Sequence, residues 1–278
     1  INLDKKTKRS QNYIDLMKTK RKILGVIPAR LAASRFPNKP LKKITHLTML
    51  EHVYERSKYA KNLNHIVIAT CDKKIFNFAK AKKYNVIMTS SKHVRALDRV
   101  YEASKKLSKK LKMGQNDITI CIQADEPMLD PKMIEKSINF LINNKDAKCT
   151  LLGMQIKNKD QFYDKNILKI IHNLKNEVLF TSRIPIPSYK KFSSQLNVRR
   201  IYGIFAFRNF FLKKFYNTKP SPLELSEACD SNRICDNGGG QFVVKYNYFD
   251  SFSVDTYEDL KKVKRFIKKD KFYINHGI

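Results

Sequence analysis

Ile23-Leu24-Gly25-Val26-Ile27-Pro28-Ala29-Arg30 is the stretch on which the fold turns. Its apolar run does not alternate with polar residues, and Pro28 stops it, as expected of a short strand buried on both faces. The same form returns in His65-Ile66-Val67-Ile68-Ala69-Thr70, in Val86-Ile87-Met88 and in Ile118-Thr119-Ile120-Cys121-Ile122. Between these runs, residues 49–60, 73–84 and 98–107 read as helices; in the first, Leu50, Val53 and Tyr54 share one side. Buried strands alternating with helices predict an α/β fold whose mostly parallel sheet is covered by helices on each side. Ligands of such sheets collect beyond the carboxyl ends of the strands. The loops after Ile27 and after Ile122 are therefore the places to look for chemistry.

The second half changes character. Residues 167–171 and 178–180 read as strands flanking a polar turn at 172–177, as in a hairpin. Residues 202–207 and 242–248 are further strands. A helix opens near Ser221-Pro222, with proline at the favoured first position. Val263, Phe266 and Ile267 give the final helix its apolar side. No repeat and no Gly/Ser-rich linker divides the chain, which reads as one mixed α/β domain with a substrate-binding insertion.

The 278 residues carry a formal charge of +31 and are 42% hydrophobic, the latter ordinary for a globular protein. So positive a field attracts polyanions, although scattered surface lysines serving solubility would give the same total. The densest basic runs, 18–22 and 261–271, lack the interleaved aromatics of a single-strand binding platform, so no specific nucleic acid is expected. Residues 1–22 hold eight Lys or Arg against two Asp and read as a basic leader or linker. The five cysteines form no CxxC pair, which disfavours zinc and disulfide frameworks. With no signal peptide and no apolar run long enough to span a bilayer, the expected compartment is the reducing cytoplasm.

Arg30, Arg35 and Lys39 occupy the loop after the first strand, where they suit either a triphosphate or a plain basic surface. The loop has neither the Walker pattern nor G-x-G-x-x-G. The fourth strand runs into Gln123-Ala124-Asp125-Glu126-Pro127. An acid there serves as a helix cap or as an oxygen ligand for magnesium.

Ile27-Pro28-Ala29-Arg30, followed by Ser34-Arg35, Pro37 and Lys39-Pro40-Leu41, resembles the CMP-Kdo synthetase (3-deoxy-manno-octulosonate cytidylyltransferase) family. Gln123 to Pro127 resembles its Gln-Gly-Asp-Glu-Pro motif, with Ala124 for Gly. Ser253-Val254-Asp255-Thr256-Tyr257-Glu258-Asp259-Leu260 resembles its second acidic segment, with Tyr257 for Pro. Asn166-Ile167-Leu168-Lys169, Phe180-Thr181-Ser182-Arg183-Ile184-Pro185-Ile186-Pro187 and Ser221-Pro222-Leu223-Glu224 with Glu227 follow in the family's order.

The resemblance spans roughly residues 23–270 and implies a nucleotide-diphospho-sugar transferase-like fold with a smaller mixed region for substrate binding and dimerisation. It divides the 23–278 domain into a nucleotide-binding half (23–130), a sugar-binding and dimerisation region (131–252) and a metal-ligand segment with the C-terminal helix (253–278). It implies transfer of CMP from CTP to the anomeric hydroxyl of an acidic 2-keto sugar, Kdo or a close relative, for lipopolysaccharide or capsule synthesis. Mg²⁺ would be the cofactor, held by Asp125 and Asp255, and the assembly a homodimer. Pro28, Ala29, Arg30, Ser34, Arg35, Lys39 and Gln123 would bind the nucleotide, with Arg30, Lys39 and Asp125 catalytic. Gln123, Arg183, Tyr202, Glu224 and Glu227 would face the sugar. Thr256 would cap the last helix.

Two departures stand out. The family's His-x-Ser-Gly-Thr-Glu-Arg is here His93-Val94-Arg95-Ala96-Leu97-Asp98-Arg99, and Ile201 stands where the family has His. They leave open another sugar acid (an amino-Kdo or a nonulosonic acid) or an inactive homologue; a basic nucleic-acid-binding protein is the reading from another class. His93 reads as a buried, hydrogen-bonded histidine sooner than as a general base.

Overall fold

The computed structural model describes residues 21–32, 36–188 and 198–278. The basic leader, Ser34 and Arg35 thus lie outside the described residues, save Arg21 and Lys22. The first run becomes β1 (Ile23–Ala29), and the next three become β2 (His65–Thr70), β3 (Val86–Met88) and β4 (Ile118–Ile122). Val26 pairs in parallel register with Val67 on one side and Cys121 on the other. Such burial on both faces is what an unalternating apolar run requires, and Leu24, Val26 and Ile27 are fully buried.

Three strands extend the sheet beyond β4: β5 (Cys149–Gln155), β8 (Arg199–Arg208) and β9 (Gln241–Tyr246), in the order β3-β2-β1-β4-β8-β5-β9. Only β8 runs against the rest of this path, being antiparallel to both β4 and β5. The 23–130 and 131–252 regions therefore share one continuous sheet. The expected hairpin is present as β6 (Lys169–His172) and β7 (Val178–Ser182), attached through β6 to β8. Both strands lie close to their expected positions. β5 was not foreseen.

Helices α1 (Met49–Lys58), α2 (Lys73–Ala81) and α3 (Ala96–Leu111) connect the first four strands. A capping box closes the start of α1, where Thr48 and Glu51 satisfy each other's backbone N–H groups. Beyond β4 come α4 (Pro131–Asn143), the short α5 (Lys159–Tyr163), α6 (Asn209–Asn217), α7 (Pro222–Glu227) and α8 (Asp230–Asp236). The chain finishes with α9 (Tyr257–Phe266), a 3-10 turn at Ile267–Lys269 and α10 (Lys271–His276).

From β1 the chain moves outward through β2 and β3, then returns to lay β4 on the opposite side of β1. That reversal opens a crevice at the carboxyl ends of β1 and β4, the usual ligand position in open α/β sheets. Arg30 and Gln123 stand at its mouth.

Candidate active site

The crevice is completed from a distant part of the chain. After β9 the backbone crosses back, and Val254 N donates to Asp125 O at 2.9 Å. Val254 is fully buried with Phe36, Met49, Met128, Leu260 and Val263, which anchors the crossing. Thr256 caps α9 as expected: its hydroxyl accepts from Asp259 N, while Asp259 Oδ2 accepts from the N–H groups of Asp255 and Thr256. Asp255 is thereby fixed beside Asp125. Asp130, not Asp125, caps the helix after β4, which removes the helix-cap reading of Asp125.

Lys39 lies between the two acids. Its Nζ is 3.0 Å from Asp125 Oδ2 and 3.3 Å from Asp255 Oδ1, and donates to Val254 O at 2.7 Å. Burial opposes the lysine charge, but the Asp125 and Asp255 carboxylates outweigh it and raise the pKa above the ordinary lysine value. Asp125 Oδ1 is buried without a hydrogen-bond partner among the described residues. A bare anionic oxygen so placed is unfavourable until a cation or donor meets it. Two carboxylates also suit Mg²⁺, which takes few protein oxygens and completes its shell with water and phosphate. No cluster of three or more His, Cys, Asp or Glu side chains suited to a metal occurs among the described residues, so no richer acidic site competes.

Beneath Asp125 the packing is close. Gly203 N donates to Glu126 Oε1 at 3.0 Å, and Gln123 N donates to Gly203 O at 2.8 Å. A Cβ on Gly203 would come within 2.8 Å of Gln123 and 2.9 Å of Glu126, so only glycine fits. Burial first, and the neighbouring Asp125 charge with it, pushes the Glu126 carboxyl up to about 7 against the pull of Arg200.

Two cavities meet at the acids. The smaller, about 320 Å³, is lined by Pro28, Ala29, Arg30, Lys39 and Arg99 among others. The larger, about 810 Å³, is lined by Glu126, Arg200, Ile201, Gly203 and Ser253 among others. Arg95, Gln123, Asp125 and Asp255 border both. Pro28, Ala29, Arg30, Lys39, Gln123, Asp125 and Asp255 are thus brought together, while Ser34 and Arg35 lie outside the described residues.

The residues expected around the sugar fare differently, since Arg183, Tyr202, Glu224 and Glu227 line neither cavity. Tyr202 is fully buried, with its hydroxyl on Ser251 Oγ at 2.8 Å. Glu224 is also fully buried, held by Arg233 through two contacts of 2.6 Å. Arg183 and Glu227 hold each other: Glu227 Oε2 accepts from Arg183 N at 2.8 Å and Glu227 O from Arg183 Nε at 3.0 Å. The polar groups of these four are hydrogen-bonded within the protein, which the motif alone could not reveal. His93 is hydrogen-bonded to Glu102, as expected, and also borders the smaller cavity.

Arg200 was missed, although two adjacent arginines in an apolar strand were a usable signal. Their burial demands partners, and Arg200 finds Ser251 O at 2.9 Å while lining the larger cavity.

A protein-family model described as Cytidylyltransferase matches residues 24–270. The chain belongs to the cytidylyltransferase family. A 3-deoxy-manno-octulosonate cytidylyltransferase of Solibacter usitatus is 35% identical over 249 residues, 89% of this chain and 95% of the relative. One of the same name from Thermodesulfovibrio yellowstonii is 34% identical over 246 residues, 86% of this chain and 96% of the relative. Among solved structures, a CMP:2-keto-3-deoxy-manno-octonic acid synthetase complexed with CTP superposes with a TM-score of 0.79 at 27% identity, covering 89% of this chain and 99% of that one. In this cytidylyltransferase Asp125, Asp255 and Lys39 meet at the seam of two cavities, and Arg95, Ala96 and Ile201 line the larger one beside them.

Proposed function

We propose that this cytidylyltransferase transfers CMP from CTP to the anomeric hydroxyl of 3-deoxy-manno-octulosonate, releasing pyrophosphate. The observation that carries this reading is the convergence of Asp125 and Asp255 on Lys39 where the two cavities meet. CTP takes the smaller cavity, its phosphates toward Arg30 and Lys39, and the sugar takes the larger. Asp125 and Asp255 would hold Mg²⁺, which when bound supplies Lewis acidity at phosphate oxygens and lowers the pKa of a coordinated hydroxyl. Arg30 and Lys39 stabilise negative charge moving onto the leaving pyrophosphate. Gln123, pinned by Gly203, borders both cavities and orients the sugar. The hydroxyl attacks the α-phosphorus directly, so no side chain need become a nucleophile.

The setting is part of the same proposal: a cytoplasmic homodimer supplying an activated sugar for lipopolysaccharide or capsule. Leu174, Leu179 and Ile184 lie exposed on or just beyond the β6–β7 hairpin, which suits a self-association face in the second half. Among the described residues no helix is long and apolar enough to cross a membrane.

Pyrophosphate release from CTP with Mg²⁺ and a panel of sugar acids (Kdo, its amino analogue, a nonulosonic acid) tests the reading. Kdo is expected to be the preferred acceptor, and Asp125→Asn to lower turnover at least about 100-fold. A variant that still turns over normally at saturating Mg²⁺ would overturn the assignment. Sedimentation as a monomer at working concentration would remove the dimer from it.

A further inference from the structure

We infer that Arg95 is the clamp for the substrate's carboxylate and so a determinant of specificity for acidic sugars. This rests on the sugar-acid cytidylyltransferase reading and deepens it. In the cyclic form of a 2-keto sugar acid, the carboxyl carbon is bonded to the same carbon that bears the attacking hydroxyl. A carboxylate so placed has to lie at the seam beside Asp125 and Asp255, whichever way the rest of the ring extends. It needs a cation there, because two acids already occupy the position.

Among the described residues Arg95 is the one cationic side chain that borders both cavities. It sits at the start of α3 in extended conformation. Its Nε is 3.7 Å from both Glu224 Oε1 and Asp230 Oδ1, too long for hydrogen bonds but close enough to hold the charge. Glu224 is completely buried and the Asp230 side chain nearly so, while the Arg95 side chain is 24% exposed. The guanidinium is thus backed by two carboxylates, and among the described residues no hydrogen-bond partner occupies its terminal nitrogens. An Arg fork left open in this way matches a carboxylate bidentately.

The other cations are less suited. Arg183 borders neither cavity, and its Nε is taken by Glu227 O. Arg200 borders the larger cavity alone and donates to Ser251 O. Lys39 is held between the acids. Leu97, two residues on from Arg95, is buried in the core, so the altered loop is integrated into the fold and aims its one cation at the seam.

The test separates sugar from nucleotide. In Arg95→Gln, KM for Kdo is expected to rise about 10- to 100-fold, with KM for CTP changed less than about twofold. Titration calorimetry of CTP without sugar should give the wild-type affinity. The Kdo carboxamide, isosteric and uncharged, supplies the decisive comparison. The wild type should prefer acid over amide by a large factor, and Arg95→Gln should lose most of that preference. Arg95→Lys, which keeps the charge that Glu224 and Asp230 require but not the fork, should fold normally and fall between the two.

Loss of CTP affinity with an unchanged acid-to-amide ratio would reassign Arg95 to the phosphates. An unchanged ratio in both variants would also overturn the inference. A wild type that couples no 2-keto sugar acid to CTP would instead refute the functional reading on which the inference stands.

Discussion

Gly203→Ala adds one methyl group to the floor of the site, and its effect can be worked from the distances. The new Cβ would lie 2.8 Å from both Cβ and Oε1 of Gln123 and 2.9 Å from Glu126 Cγ. Ordinary carbon contacts begin near 3.5 Å, so something must move by about half an ångström. Gln123 Cβ is fixed to a backbone whose N–H already donates to Gly203 O, so rotation alone cannot relieve the contact. Overpacking of this kind costs about 1–3 kcal/mol, which for a chain of this size lowers the melting temperature by roughly 2–10 °C. The displaced segment carries Asp125 between Gln123 and Glu126. A shift of that order at a reacting centre lowers turnover by about 10- to 100-fold. Thermal unfolding and pyrophosphate release on the same preparation check both effects. Full stability together with full turnover would refute the claim that this close contact sets the position of Asp125.

Two further predictions concern groups away from the seam. Glu224→Gln takes from the buried Arg233 its closest charged partner, leaving only the longer contact to Asp98 at 3.4 Å, and should destabilise the fold by about 2–4 kcal/mol in urea unfolding, with Arg233→Met/Glu224→Met recovering part of the loss; a change below about 0.5 kcal/mol would show the pair to be irrelevant. His52 is fully buried, and burial, with Arg56 nearby, lowers its pKa to about 3. The unfolded chain then binds the proton more readily, so this contribution is complete above about pH 6.5 and is lost as pH falls toward 3. His52→Gln should flatten the pH dependence of the urea midpoint across that window, and a slope unchanged from wild type would contradict the assignment.

The parallel half of the sheet was legible because its strands are short, unalternating apolar runs that only a doubly covered sheet accommodates. β5 was harder to read. Its run Cys149-Thr150-Leu151-Leu152-Gly153-Met154 carries no marked turn chemistry, and its place was created by β8 on one side and β9 on the other. α10 was missed because its start depends on Asp270, which accepts from Phe272 N while pairing with Arg56 of α1. The cap is local, but the pairing with Arg56 is tertiary, and no local pattern announces it.

The site divides along the same physical line. Asp125, Asp255, Lys39 and Gln123 sit at the ends of buried elements with charges or amides that the core cannot use, and such residues stand out in a sequence. Glu224 and Glu227 carry the same chemistry in a motif, yet the fold satisfies them internally, Glu224 with the Arg233 guanidinium and Glu227 with the Ser182 hydroxyl and the Arg183 backbone N–H. Distinguishing a carboxylate that faces substrate from one that holds an arginine requires knowing where the arginine is. Arg95 reverses the case: as a departure from the motif it looked like lost function. The structure places two buried acids behind it, Glu224, already paired with Arg233, and Asp230, and burial chiefly raises the Asp230 pKa to about 6. A cation at residue 95 therefore relieves part of the repulsion between the buried acids Glu224 and Asp230, so this arginine has a structural partner on one side and borders both cavities on the other.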